Sequence, residues 1–212
     1  MHLPAGDDEC QRFQQRGVLV VPDFLSPTEA DALAADASRV AARRAIQIRR
    51  AVEGSTLDYR VVTGDVIKAE APALYEIYES TQVLEWVRRI SALPDVGLSP
   101  HIRSAVNINI LDRAGQQYRW HNDAVPFTIL IFLTTLPPSA GGAFTIRTRD
   151  GGVMAIPPVA GQLVLMDGRQ CAHAVAPLRE DVLRMTVPMV FPAYQVARPP
   201  GLDDYLYAPD QS

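Results

Sequence analysis

The sequence predicts a mostly β fold with flanking helices, a sandwich or barrel of jelly-roll kind. Three observations predict it. Seven short β-rich runs follow one another between residues 103 and 191. Gly-, Pro- and Asp-rich turns separate them, as in Pro-Pro-Ser-Ala-Gly-Gly and Asp-Gly-Gly. Helical patterns dominate the first hundred residues instead. The 212 residues are 48% hydrophobic and 21% charged, ordinary for a chain that buries a core without staples.

The elements follow in order. Val18 to Val21, between Gly17 and Pro22, reads as a lead-in strand. Ser26-Pro27-Thr28-Glu29 combines a capping side chain, a first-turn proline and a capping-box glutamate, so a helix starts there. It continues through EADALAADASRVAARRA, with Leu33, Ala37, Val40 and Ala41 near helical spacing. Pro72 opens a second helix through Tyr75 and Ile77, and TQVLEWVRRISAL is a third, stopped by Pro94. The β runs are 103–111, 127–135, 143–147, 153–156, 162–166, 172–175 and 183–191. The expected organisation is one domain over 1–212: helical support with lead-in strands to residue 100, a β core over 101–192, and a Pro/Tyr-rich tail over 193–212. The tail reads as a loosely packed terminus, with a lid or partner-contacting arm as the other reading.

Composition excludes several functions. The formal charge of −4 argues against general nucleic-acid binding. The longest apolar run, 127–133, falls far short of the ~20 residues that span a bilayer. The start, MHLPAGDDEC, lacks the basic and apolar regions of an export signal, and Cys10 and Cys171 make no disulfide framework. A cytoplasmic protein is expected.

Three groups carry chemistry. His121 and Asp123 are spaced i, i+2, which in extended backbone directs an imidazole and a carboxylate to one side while Asn122 points away. His173, on a later strand, would complete a two-histidine, one-carboxylate face suited to Fe(II), with three coordination positions left open. The tripeptide alone is a weak signal, and a histidine on an apolar strand is often a hydrogen-bonded core residue. Arg184 and Thr186 share one face of an otherwise apolar strand, where a buried guanidinium needs an anion. That anion is either a protein carboxylate or a ligand carboxylate held bidentately.

The pattern His121-x-Asp123, His173, Arg184-x-Thr186 resembles the Fe(II)/2-oxoglutarate-dependent dioxygenase superfamily. Gly141-Gly142-Ala143-Phe144, the run from Gly161 to Met166, His173-Ala174-Val175 and the N-terminal GVLVVPDFLSPTEADAL fall where members carry similar segments. The resemblance implies a double-stranded β-helix, with Fe(II) on His121, Asp123 and His173. It also implies 2-oxoglutarate with its far carboxylate on Arg184, O2 at the remaining position, and oxidation of a substrate C–H bond with release of succinate and CO2. Related halogenases carry a small residue in place of the carboxylate, so Asp123 favours hydroxylation, desaturation or ring closure. Prolyl hydroxylases often carry tyrosines where this chain has Leu111 and Phe132, which leaves the carboxylate anchor to Arg184 and Thr186, with Thr128.

Other residues are open to two readings. Asn107 and Asn109 share a strand face with Leu111, either as a polar interior that orients a small-molecule substrate or as an exposed face. Trp120 either walls the pocket or packs outside it. The run Arg39, Arg43, Arg44, Arg49, Arg50 reads first as a solvated, salt-bridged face and second as a source of substrate-carboxylate ligands. Cys171 reads as a small apolar filler and His101 as surface. The expected function is small-molecule oxidation. Its rivals are the same chemistry on a protein side chain, a non-catalytic β-barrel binder, and a zinc hydrolase on the same three ligands.

Overall fold

The computed structural model describes residues 1–52, 55–194, 197 and 199–207. Helix α1 (Asp7–Arg16) leads into strand β1 (Val18–Val21). Helix α2 (Pro27–Arg44) starts on the expected capping box: Glu29 N donates to Ser26 Oγ at 3.3 Å and Ser26 N to Glu29 Oε2 at 2.8 Å. A hairpin of β2 (Ile46–Val52) and β3 (Ser55–Val62) follows, then α3 (Gly64–Glu70), α4 (Pro72–Glu79) and α5 (Thr81–Ser91). Helix α5 closes at Ala92, in left-handed backbone at φ 57°, two residues before the expected stop at Pro94.

The run 103–111 is not one strand. Ser104 N and Ala105 N donate to the His101 carbonyl at 3.1 and 3.0 Å, closing a single turn, α6 (Ile102–Ala105), before β4 (Ile108–Leu111). Next come β5 (Tyr118–His121), β6 (Phe127–Phe132), β7 (Phe144–Arg147), β8 (Val153–Ile156), β9 (Leu163–Asp167), β10 (His173–Val175), β11 (Arg184–Phe191) and α7 (Leu202–Tyr207). The hairpin β2–β3 and strand β5 were not expected. Both lie at sheet edges, where arginines and polar residues hide the apolar alternation.

All strand pairings are antiparallel and form two sheets, β1-β9-β6-β11-β4-β3-β2 and β5-β10-β7-β8. Period-two alternation divides the core in two. Met185, Val187, Met189 and Phe191 of β11 pack toward the helices with Ile129, Ile131, Leu163 and Leu165. The opposite face meets the small sheet across Leu130, Phe132, Val164, Phe144, Ile146 and Val175. This is the expected mostly β, jelly-roll architecture with helices on one face. Among the described residues no helix is long and apolar enough to cross a membrane.

The basic run divides as well. Arg39 pairs with Asp36 at 2.6 Å, and Arg43 and Arg44 both pair with Glu70, so this part is a salt-bridged surface. Arg50 on β2 instead donates to the Tyr205 carbonyl and lies 4.4 Å over the Tyr205 ring. The described part of the tail is therefore docked, not loose. Tyr207 is buried, its hydroxyl donates to Asn107 Oδ1 at 2.8 Å, and Arg103 stacks 5.0 Å from its ring. The remainder of the tail, 195, 196, 198 and 208–212, lies outside the described residues.

Ile131 is fully buried at the centre of the large sheet. Ile131→Ala should lower unfolding free energy by about 2–5 kcal/mol, and Ser26→Ala by about 1 kcal/mol through loss of the cap. Urea denaturation of the two variants against the parent checks both values and their order.

Candidate metal centre

The three expected ligands meet. One ligand atom from each of His121, Asp123 and His173 lies within 4.8 Å of the others. Strand register is the cause: His173 on β10 stands directly across from His121 on β5, with imidazole centroids 4.3 Å apart. Asp123 lies just beyond the end of β5, held by its backbone N donating to the Gly168 carbonyl at 2.8 Å. Its Oδ1 is 3.5 Å from His173 Nε2. Asn122 points away, as expected, and donates to the Arg169 carbonyl at 3.0 Å.

The rings are oriented by the backbone. His121 Nδ1 donates to the Arg119 carbonyl at 2.7 Å and His173 Nδ1 to the Cys171 carbonyl at 3.0 Å. With Nδ1 protonated on both rings, each neutral imidazole presents Nε2 as its lone-pair donor. Cys171 is itself a buried filler of the inter-sheet core, so its part here is its carbonyl.

Electrostatics fit a cation site. Although His121 is exposed at its edge, partial desolvation of its ring, and then the neighbouring His173, lower its pKa. Burial also works to lower His173, but the hydrogen bond and charge of Asp123 outweigh it and hold that ring above the ordinary histidine value. Burial works to raise Asp123, yet His173 and Thr128 keep its carboxyl below the usual range.

Arg184 is the largest fully buried side chain. Its Nε donates to the Gly142 carbonyl at 2.7 Å and its guanidinium stands 5.6 Å from the Phe132 ring centroid. Gly142 has φ 70°, and a Cβ there would press 3.1 Å from Arg184 Cδ, so this bend needs glycine. Arg184 Nη2 is buried without a hydrogen-bond partner among the described residues, and burial pulls its pKa down to about 10. No carboxylate pairs with it among those residues. Of the two anions the sequence left open, a protein carboxylate is not found among the described residues. Thr186 is buried on the same face, opposite Asn109 and Phe132.

A residue not foreseen joins Arg184. The Tyr118 hydroxyl is also buried and has no hydrogen-bond partner among the described residues, and burial raises its pKa while the Arg184 charge acts to lower it. Strand alternation would put Tyr118 on the opposite face from His121. The register pairs His173 with His121 but Val175 with Tyr118, so β5 carries one extra residue and the bulge turns both side chains inward. No local sequence signal marks a bulge whose extra residue is arginine or tryptophan.

The structure places the other expected residues as follows. Thr128 Oγ1 donates to Asp123 Oδ2 at 2.6 Å, so its hydroxyl is engaged by a ligand carboxylate. Asn107 donates to the carbonyls of Arg103 and Val106 and accepts from Tyr207, so its amide is occupied by the chain itself. Asn109 lies partly buried across from Thr186. Trp120 is 44% exposed and stacks 4.8 Å from Arg147 on the outer face of the small sheet. His101 is exposed.

The raised pKa of His173 sets a pH dependence. Its imidazolium–carboxylate pair with Asp123 stabilises the metal-free protein below the ordinary histidine value, and this is lost as pH rises through the raised one. A metal requires the neutral ring. Co(II) affinity, followed by its visible absorption, should therefore climb as pH rises from the ordinary histidine value through the raised one, while the stability difference between the metal-free parent and Asp123→Asn shrinks.

The Halogenase D family model matches residues 6–150. No curated protein matches the sequence. Among solved structures, the epimerase SnoN in complex with Fe3+, alpha ketoglutarate and nogalamycin RO superposes with a TM-score of 0.74 at 15% identity, over 97% of this chain and 91% of that one. The alpha ketoglutarate-dependent carbocyclase SnoK from nogalamycin biosynthesis gives 0.73 at 18%, over 96% and 91%. A Pseudomonas putida prolyl-4-hydroxylase gives 0.66 at 22%, over 87% and 97%. The fold is that of the iron- and 2-oxoglutarate-dependent oxygenases, and with the model covering more than half of its length the chain belongs to the Halogenase D family.

Proposed function

We propose that the protein is an Fe(II)- and 2-oxoglutarate-dependent oxygenase that hydroxylates or otherwise oxidises a C–H bond of a small molecule, such as an amino acid or a specialised metabolite. It would consume O2 and release succinate and CO2. The observation that carries this reading is the convergence of His121, Asp123 and His173, ligand atoms within 4.8 Å, with both Nδ1 atoms already committed to carbonyls. Two imidazoles and one carboxylate with open positions suit non-haem iron. The unpartnered Arg184 Nη2 and Tyr118 hydroxyl fit the far carboxylate of the keto acid.

Bound iron and 2-oxoglutarate supply oxygen activation, which no side chain provides. The chain's own residues do the rest. His121, Asp123 and His173 hold the metal. Arg184 and Tyr118, with Thr186 beside them, receive the carboxylate, while Phe132 and Gly142 keep the guanidinium in place. Phe144, Ile146, Leu130 and Val175 form the dry wall between the sheets that keeps water from these charges. Both cysteines are free, which supports a reducing, cytoplasmic setting.

Asp123 favours oxygen insertion over halogenation despite the family's name. A halide bound to the metal needs the position that the carboxylate fills; Thr128 holds that carboxylate, and the Gly168 carbonyl holds the Asp123 backbone.

Anaerobic addition of Fe(II) and 2-oxoglutarate should produce a weak visible charge-transfer band that His121→Ala and Asp123→Ala abolish. Absence of both the band and succinate release would favour a binding protein instead. Free metabolites, assayed beside proline-containing peptides, should stimulate succinate release; stimulation by peptides alone would favour the protein-hydroxylase rival. Arg184→Ala should weaken 2-oxoglutarate binding roughly tenfold or more, as loss of a charge-assisted pair. Tyr118→Phe should weaken it by a smaller factor, about two- to tenfold, with metal affinity nearly unchanged in both.

A further inference from the structure

The two oxygens of Asp123 have different surroundings. Oδ1 stands 3.5 Å from His173 Nε2, on the side where the imidazoles converge. Oδ2 accepts the Thr128 hydroxyl at 2.6 Å. Thr128 is 2% exposed on β6, locked between Met166 of β9 and Val190 of β11 in the sheet register, so its hydroxyl has little freedom to leave. Gly168 closes another side: its carbonyl holds the Asp123 backbone N at 2.8 Å, and a Cβ at this position would overlap Oδ2 itself. Thr128 and Gly168 thus hold the carboxylate against rotation and occupy the oxygen that faces away from His173.

We infer that Thr128 is a positioning residue that limits Asp123 to single-oxygen ligation and so preserves an open coordination position on the metal. The inference rests on the metal reading above and adds to it a reason for this hydroxyl. A six-coordinate ion held by two imidazoles and one carboxylate oxygen keeps three positions free. A bidentate keto acid and O2 require all three. A carboxylate ligating through both oxygens would take one of them, and binding of the full set would then be blocked. A hydroxyl donating to Oδ2 makes that oxygen a poorer metal donor and sets the plane of the group, the usual work of a hydrogen bond behind a ligand.

Thr128→Val keeps the shape and removes the donor; Thr128→Ser keeps the donor. With each protein saturated with Mn(II) and no keto acid present, water-proton relaxation reports the waters on the ion. The valine variant should lose about a third of the relaxation enhancement, one position of three, and the serine variant should match the parent. Thr128→Ala removes the donor too and reads the same quantity should valine not be accommodated. Equal enhancement in the parent and both donor-less variants overturns the inference while leaving the metal site intact. Parent enhancement no greater than that of His121→Ala overturns the metal reading, and this inference with it.

Discussion

The antiparallel register between β5 and β10 is the constraint on which the site depends. Backbone hydrogen bonds place His173 across from His121, and no side-chain preference is needed to bring the two imidazoles to 4.3 Å. One residue of slippage would send His173 to the outer face of the small sheet. Pairing on the other edge of β10 resists that slip. There His173 stands across from Ile146 and Val175 across from Phe144, apolar residues that must stay in the core. The hydrophobic requirement of β7 thus indirectly fixes the position of a candidate metal ligand.

A second element serves Asp123, His173 and the intervening Asn122 at once. The turn between β9 and β10 supplies the Gly168 carbonyl to Asp123, the Arg169 carbonyl to Asn122 and the Cys171 carbonyl to His173. It is itself braced by Asp167, which accepts from Gln170 N at 3.1 Å and pairs with Arg149. Asp167 is 2% exposed, so removing Arg149 would leave a buried charge uncompensated. The backbone of one short turn therefore orients a side chain of β10 and two residues of the loop that follows β5.

Arg184 shows the opposite logic. A fully buried guanidinium with an empty donor lowers stability unless something meets it. Phe132 and the Gly142 carbonyl offset part of the cost. What remains is a preorganised demand for an anion, which is also a source of binding energy and selectivity when one arrives. Tyr118 adds a donor of the same kind from the facing sheet, so the anion would bridge both layers of the sandwich.

Local chemistry in the chain was enough for much of this. The capping box at Ser26, the alternation that separates Arg184 from Met185, most of the core strands, and the three candidate ligands were legible because each depends on a short pattern: a cap, a period of two, a spacing. The family resemblance added the order of those patterns. The tertiary structure decided what depends on partners distant in sequence. It gave Thr128 a hydrogen bond to Asp123, placed Trp120 outside, occupied Asn107 with Tyr207, and set Tyr118 on the His121 side through a bulge. A side chain's hydrogen-bond partner is set by sheet register and loop packing, and a single extra residue in an edge strand reverses the face on which everything before it points. Such information lies in the pairing of strands, not in any one of them.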